Sequence, residues 1–187
     1  MSKILITNSN NTFGKNLINK LLEIKDNKLI VAMSNCDKYI RDTNIEYIDS
    51  KIQKSTDNMV LLKNIREMEN IVKYTNEKYN GIDICIDCAE KSEDLNILEV
   101  LLAQSIANNI TKNKITSCIK FISNNSITID YLNKNFKTGK IEAFNSGKNV
   151  ENTIDIINGQ WKFSTKTKTP YFDFDTYEGR YSPLLYF

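Results

Sequence analysis

The sequence contains no histidine. That absence removes Ser–His and Cys–His nucleophile pairs, zinc sites built on imidazole and any histidine general base. Charge of either sign is not in excess: 25 Lys and Arg stand against 23 Asp and Glu. The lysines are interleaved with acids, which describes a solvated surface and not the basic stripe of a nucleic-acid binder. No apolar run approaches the ~18 residues that a membrane span needs. Glycine (6), proline (2) and arginine (3) are scarce, whereas isoleucine (26), asparagine (25) and lysine (22) are abundant. Asn, Lys and Ile have AT-rich codons, so the skew points to an AT-rich genome and says nothing direct about function.

What is present describes one globular domain. The chain has 187 residues, 41% of them hydrophobic and 26% charged, enough to bury a core without staples. The stretch Met1–Thr7 reads as a short apolar strand and not a signal peptide, so a cytoplasmic location is expected, with an organelle or a virion left open. Four cysteines occur, at 36, 85, 88 and 118. Cys85-Ile86-Asp87-Cys88 has the C-x-x-C spacing of a redox pair or half a zinc site. The surrounding Ile82-Asp83-Ile84-Cys85-Ile86 argues strand, and residues three apart on a strand point to opposite faces. The two sulfurs are therefore expected to diverge and no metal site is expected.

The apolar spacing predicts a strand at 3–7, a helix from Phe13 to Leu22 and a second strand at 29–33, the unit of a parallel sheet. Beyond these, Ile45–Ile48 reads as a short strand and Met59–Leu62 as another apolar run. Ile65–Tyr79 reads as an amphipathic helix stopped by Gly81. Ile82–Ile86 is the clearest buried strand. A helix is predicted over Asp94–Asn113, with Leu95, Leu98, Leu101, Leu102, Ser105, Ile106 and Ile110 on one face. A strand at 118–122, a helix over 141–157 and a strand at 160–164 complete the domain. The expected organisation is a three-layer α/β/α domain over residues 1–164, its sheet mostly parallel. An aromatic tail over 165–187 follows, carrying Tyr171, Phe172, Phe174, Tyr177, Tyr181, Tyr186 and Phe187.

Four segments in order carry a resemblance. Lys3-Ile4-Leu5-Ile6-Thr7-Asn8-Ser9-Asn10-Asn11-Thr12-Phe13-Gly14 looks like a strand followed by a T-G-x-x-x-G-x-G turn. Gly81–Glu90 is similar to a strand ending in N-N-A-G, and Ile119–Asn124 to a strand ending in I-S-S. Ala143-Phe144-Asn145-Ser146-Gly147-Lys148-Asn149-Val150-Glu151 is similar to A-Y-x-A-S-K-x-x-V-E. Together, over residues 3 to about 165, they resemble the short-chain dehydrogenase/reductase family, which implies a Rossmann-like fold with an NAD(P) seat. On that resemblance the seat falls to Thr7, Asn8, Thr12, Phe13, Gly14, Asp87 and Ala89, in weak or vestigial form.

The departures from the pattern turn the resemblance against the activity it implies. Asn8 and Thr12 stand where glycines are wanted, and only Gly14 is kept; those glycines let backbone approach a pyrophosphate at a helix N-terminus. Asn tolerates left-handed backbone, whereas β-branched Thr12 does not and would crowd the phosphate. The spacing to Asp87 puts Leu61 where the family keeps an adenine-contacting Asp. Asp87, Cys88 and Glu90 replace Asn, Asn and Gly. Phe144 holds the catalytic tyrosine position and cannot pass a proton, while Lys148 is kept four residues on, expected on the same helix face. Ser123 or Ser126 stands for the serine, with Asn124 at the position that fits better.

Three functions follow as expectations. The first is a catalytically inactive relative, a pseudoenzyme serving as scaffold or subunit, with no cofactor and with the aromatic tail as the contact for a protein partner or a second copy. The second is an NAD(P)-binding protein without chemistry. The third is an oxidoreductase with a rearranged acid, the relocated phenol being Tyr131, although Asn135 and not a lysine lies four residues on, or a tyrosine of the tail.

Overall fold

The structure is a computed structural model and describes residues 1–24, 26–33, 40, 42–53, 57–90, 96–112, 118–136 and 141–159. Within them the chain begins β1 (Ser2–Thr7), α1 (Thr12–Glu23), β2 (Asn27–Met33), β3 (Ile45–Asp49) and α2 (Asn58–Tyr79). It continues β4 (Ile84–Asp87), α3 (Ile97–Lys112), β5 (Ile119–Ser123), α4 (Ser126–Asn135), β6 (Ile141–Asn145) and α5 (Val150–Ile157). Cys36, Asp94, Leu95, the expected strand at 160–164 and the aromatic tail at 165–187 lie outside the described residues.

The strands form one sheet in the order β3-β2-β1-β4-β5-β6, and every pairing is parallel. This is the order of a Rossmann-like α/β fold, whose direction of winding reverses between β1 and β4. Helices cover both faces, so the central strands are apolar on both sides. Leu5, Ile30, Cys85 and Phe121 point into a core shared with α2, α3 and α4. Ile4, Ile6, Ile84 and Ile86 point into a second core shared with α1 and α5. Cys85 falls in the first core and Cys88 in the second, so the two sulfurs diverge as a strand requires.

Short polar side chains start the helices. Asn11 caps α1, Asp57 caps α2, Asn125 caps α4 and Asn149 caps α5, each accepting a first-turn backbone N–H. Edge strand β3 is pinned to the end of α2 by Glu46, which accepts from Tyr74, Lys78 and Tyr79. Burial alone would raise the Glu46 carboxyl, but those hydrogen bonds outweigh it and hold the group down at about 2.

Three sequence expectations are corrected. Met59–Leu62 is the start of α2 and not a separate run: Asp57 Oδ1 accepts from Met59 and Val60, so a single helix of 22 residues begins there. That helix turns at Asn80, whose φ of 57° is left-handed, one residue before Gly81. A further helix, α4, occupies 126–135, burying Thr128, Ile129 and Leu132.

The expected helix over 141–157 is a strand, a turn and a shorter helix. Residues 141–145 pair with β5 from Ile119↔Ile141 to Ser123↔Asn145. Ile141 and Ala143 enter the first core and Phe144 the second, the alternation of a strand buried on both faces. Gly147 and Lys148, at φ of 60° and 57°, break the chain before Asn149 starts α5. The amide of Asn133 then stands in for a neighbouring strand: Nδ2 donates to the Ala143 carbonyl and Oδ1 accepts the Ala143 N–H, each at 3.0 Å. This covers backbone groups of β6 that a strand edge otherwise exposes. Asn133→Ala should therefore lower stability by about 1 kcal/mol, read from the urea midpoint.

Candidate functional site

In a sheet of this order ligands bind outside the carboxyl ends of the strands, at the point where the winding reverses. Here that point lies between β1 and β4, and its polar groups come from the loop after β1, the end of β4 and the end of β5.

The loop after β1 is shaped by two residues. Asn8 takes the left-handed backbone, φ 53°, where the family pattern has glycine. Gly14 sits in the first turns of α1 against the loop: a Cβ there would stand 2.5 Å from the Ser9 Cα and 2.5 Å from the Ser9 carbonyl oxygen. Gly14 is needed for close packing of helix on loop. Thr12 is the exposed first residue of α1, and the loop's only left-handed position is Asn8, so no glycine-like backbone is demanded of Thr12. Phe13 is half-buried against the second core.

The end of β4 is tied to this loop. Asp87 is 2% exposed. Its Oδ1 accepts from Thr7 Oγ1 at 3.0 Å and from Asn8 Nδ2 at 2.7 Å, with the Ala89 N–H more distant at 3.4 Å. Asn11 caps α1 through Oδ1 and donates through Nδ2 to the Cys88 carbonyl at 2.6 Å. The Cys88 N–H reaches the Thr7 carbonyl, and Asn124 Nδ2, from the end of β5, donates to the Ala89 carbonyl. Side chains thus lace the crevice between β1 and β4.

Beneath the lacing is a cavity of about 30 Å³ lined by Thr7, Asn8, Asp87 and Glu99 at its polar end. Ile52, Met68, Ile71, Leu98 and Leu102 form its apolar walls. A water needs about 10–15 Å³, so the space suits one or two waters.

Glu99, which the sequence reading did not single out, is the second acid of the site. It lies in the first turn of α3, is 3% exposed, and accepts from Ser123 Oγ at 2.8 Å. Burial, then the neighbouring Asp87, push its carboxyl up to about 9. A signal for it was present, since position 99 precedes Leu102, Ala103 and Ile106 by three, four and seven residues and so lies on the helix's buried stripe.

The expected site residues do not all meet here. Thr7, Asn8, Asp87 and Ala89 converge, and Ser123 joins them through Glu99. Phe144 does not: it lies on β6, opposite Ile122, in the second core. Lys148 is exposed in the turn after β6. The expectation that these two share a helix face is overturned, because the strand and turn separate them. Leu61 lies within α2 and not at a strand end, while an acid, Asp49, closes β3. Tyr131 packs half-buried against the first core, and Asn135 uses its amide on the Tyr131 carbonyl. Among the described residues no tyrosine or lysine lines the cavity.

No family model matches the sequence, and no curated protein matches it. A short-chain type dehydrogenase/reductase from Mycobacterium ulcerans is similar in structure, 12% identical over 65% of this chain and 50% of that one, with a TM-score of 0.47. A short chain dehydrogenase family protein from Francisella tularensis is 16% identical over 71% of this chain and 52% of that one, also at 0.47. The Bordetella bronchiseptica enzyme WbmH, solved in complex with NAD+, is 14% identical over 65% of this chain and 38% of that one, at 0.41. The chain spans about half the length of the first two. The fold assignment stands on strand order and register, independently of these likenesses. Among the described residues no helix is long and apolar enough to cross a membrane.

Asn11 tests the lacing. Asn11→Ala loses both the cap and the bond to Cys88 and should cost about 2 kcal/mol, whereas Asn11→Asp keeps the cap and should cost less. Urea unfolding of the two variants checks the order.

Proposed function

We propose that the chain is a non-catalytic Rossmann-type domain that works by holding a protein partner, as a scaffold or subunit. The observation that carries this reading is the lacing between β1 and β4. The donors that would face a ligand are instead used by Asn8 on Asp87, Asn11 on Cys88 and Asn124 on Ala89. The cavity beneath them is about 30 Å³, and among the described residues no phenol lines it to move a proton. The partner contact in this reading is the run of seven aromatics from Tyr171 to Phe187, a composition typical of residues that anchor interfaces.

A second reading, binding of NAD(P) without chemistry, draws on the kept turn: Asn8 supplies the left-handed backbone and Gly14 the close packing that such a seat uses. Titration calorimetry separates the two. With NAD+, NADH, NADP+ and NADPH at millimolar concentration we expect no saturable heat; a saturable isotherm with any of them moves the assignment to the second reading. Co-purification from the native source should recover a stoichiometric partner with the full chain and lose it on truncation after residue 164. Retention of the partner by the truncated chain would remove the aromatic run from the contact.

A further inference from the structure

Two buried carboxyls face one cavity at the end of the sheet, and each has an oxygen without a hydrogen-bond donor: Asp87 Oδ2 and Glu99 Oε2. The other oxygens are used, Asp87 Oδ1 by Thr7 and Asn8 and Glu99 Oε1 by Ser123. The two carboxyl groups line the same cavity, and Asp87 acts on the Glu99 carboxyl both by charge and by hydrogen bonding. Two adjacent carboxylates in a buried site cannot both be charged, because each is desolvated and repelled by the other. A proton kept on Glu99 removes the repulsion and gives that carboxyl a donor to offer.

We propose that Glu99 keeps its proton and donates it to Asp87, forming a latch that fastens the first turn of α3 to the laced crevice and lets go when the proton leaves. The latch joins elements that are distant in sequence. Asp87 belongs to β4 and holds Asn8 of the loop after β1; Glu99 belongs to α3 and holds Ser123 at the end of β5. Losing the proton adds a negative charge to a cavity walled by Met68, Ile71 and Leu102, with room for no more than one or two waters to disperse it.

The groups facing Glu99 are few. Asp87 comes from β4, Ser123 from β5 and Thr128 from α4, and among the described residues no cation acts on it. Cys85 of β4 also feels its charge and is itself held neutral by burial. Thr7 and Asn8 supply only neutral donors, and α2 supplies only apolar side chains to the cavity. Ser123 and Thr128 favour the charged form, but burial and Asp87 outweigh them. The sign follows. Glu99 holds its proton to about 9 in the folded chain against an ordinary 4.5, so its contribution to stability is full below about 4.5 and is lost as the pH rises through about 9. The switch is therefore alkaline: the latch is closed at neutral pH and opens above it. This inference stands whether or not the crevice takes a ligand.

The test compares the wild-type chain with Glu99→Gln, which keeps the shape and supplies a permanent N–H donor to Asp87. Between pH 7 and 9 the wild-type unfolding constant should rise by up to about tenfold per pH unit relative to the variant. Hydrogen exchange in the first turn of α3, corrected for intrinsic rate, should lose protection over the same range in the wild type only. A direct reading needs no variant: the 13C shift of the Glu99 carboxyl should be that of a protonated acid at pH 7. An ionised Glu99 at pH 7, or equal pH slopes for the two proteins, overturns the latch.

Discussion

A carboxyl group buried at the end of a central strand has to find its donors within the protein, and Asp87 finds them in the loop after β1. Thr7 and Asn8 both turn their donors to one oxygen of that side chain. The consequence reaches well beyond the two bonds. Asn8 must adopt a left-handed backbone to bring its amide there, and the loop that follows is held so close to α1 that position 14 admits no Cβ. Asn11 then closes the far side by capping α1 and binding the Cys88 carbonyl together. The geometry of the crevice is a consequence of where the Asp87 carboxyl is buried.

Asparagine does this kind of work throughout the chain. Its side chain combines an acceptor and a donor on a short stem, so it can cap a helix with one atom and bind a neighbouring carbonyl with the other. Asn11 does both. Asn133 applies the same pair of atoms to the edge of β6, and Asn125 and Asn149 start helices. An abundance that reads in the sequence as codon bias thus has a physical use at element boundaries, where backbone groups lack regular partners.

The parts of the fold legible in the sequence are those decided locally. The first strand-helix-strand unit, β4 and β5 are short apolar runs or clear helical stripes, and their neighbours in sequence determine them. The missed parts depend on contacts made at a distance. Ile141–Asn145 is a short apolar run that fits helix or strand by spacing alone, and its pairing with β5 and the Asn133 amide decide for strand. The start of α2 is hidden because Met59 and Leu62 are exposed, so its apolar residues do not mark a buried face. At the site, Asp87 was visible as a departure from a pattern. Glu99 was legible only as an acid on the buried stripe of α3; its partners Asp87 and Ser123 are brought beside it by the folded sheet.

Asn8 and Asp87 explain each other. Read separately against a dinucleotide-binding pattern, each looks like damage: a lost glycine in the loop and an acid where a neutral amide belongs. In the folded chain the asparagine tolerates the backbone angle that glycine would otherwise supply, and its amide satisfies the acid. Either change alone would be costly, the asparagine by filling a ligand's approach and the acid by lacking a donor. Together they form an internal contact that ties the loop after β1 to the end of β4.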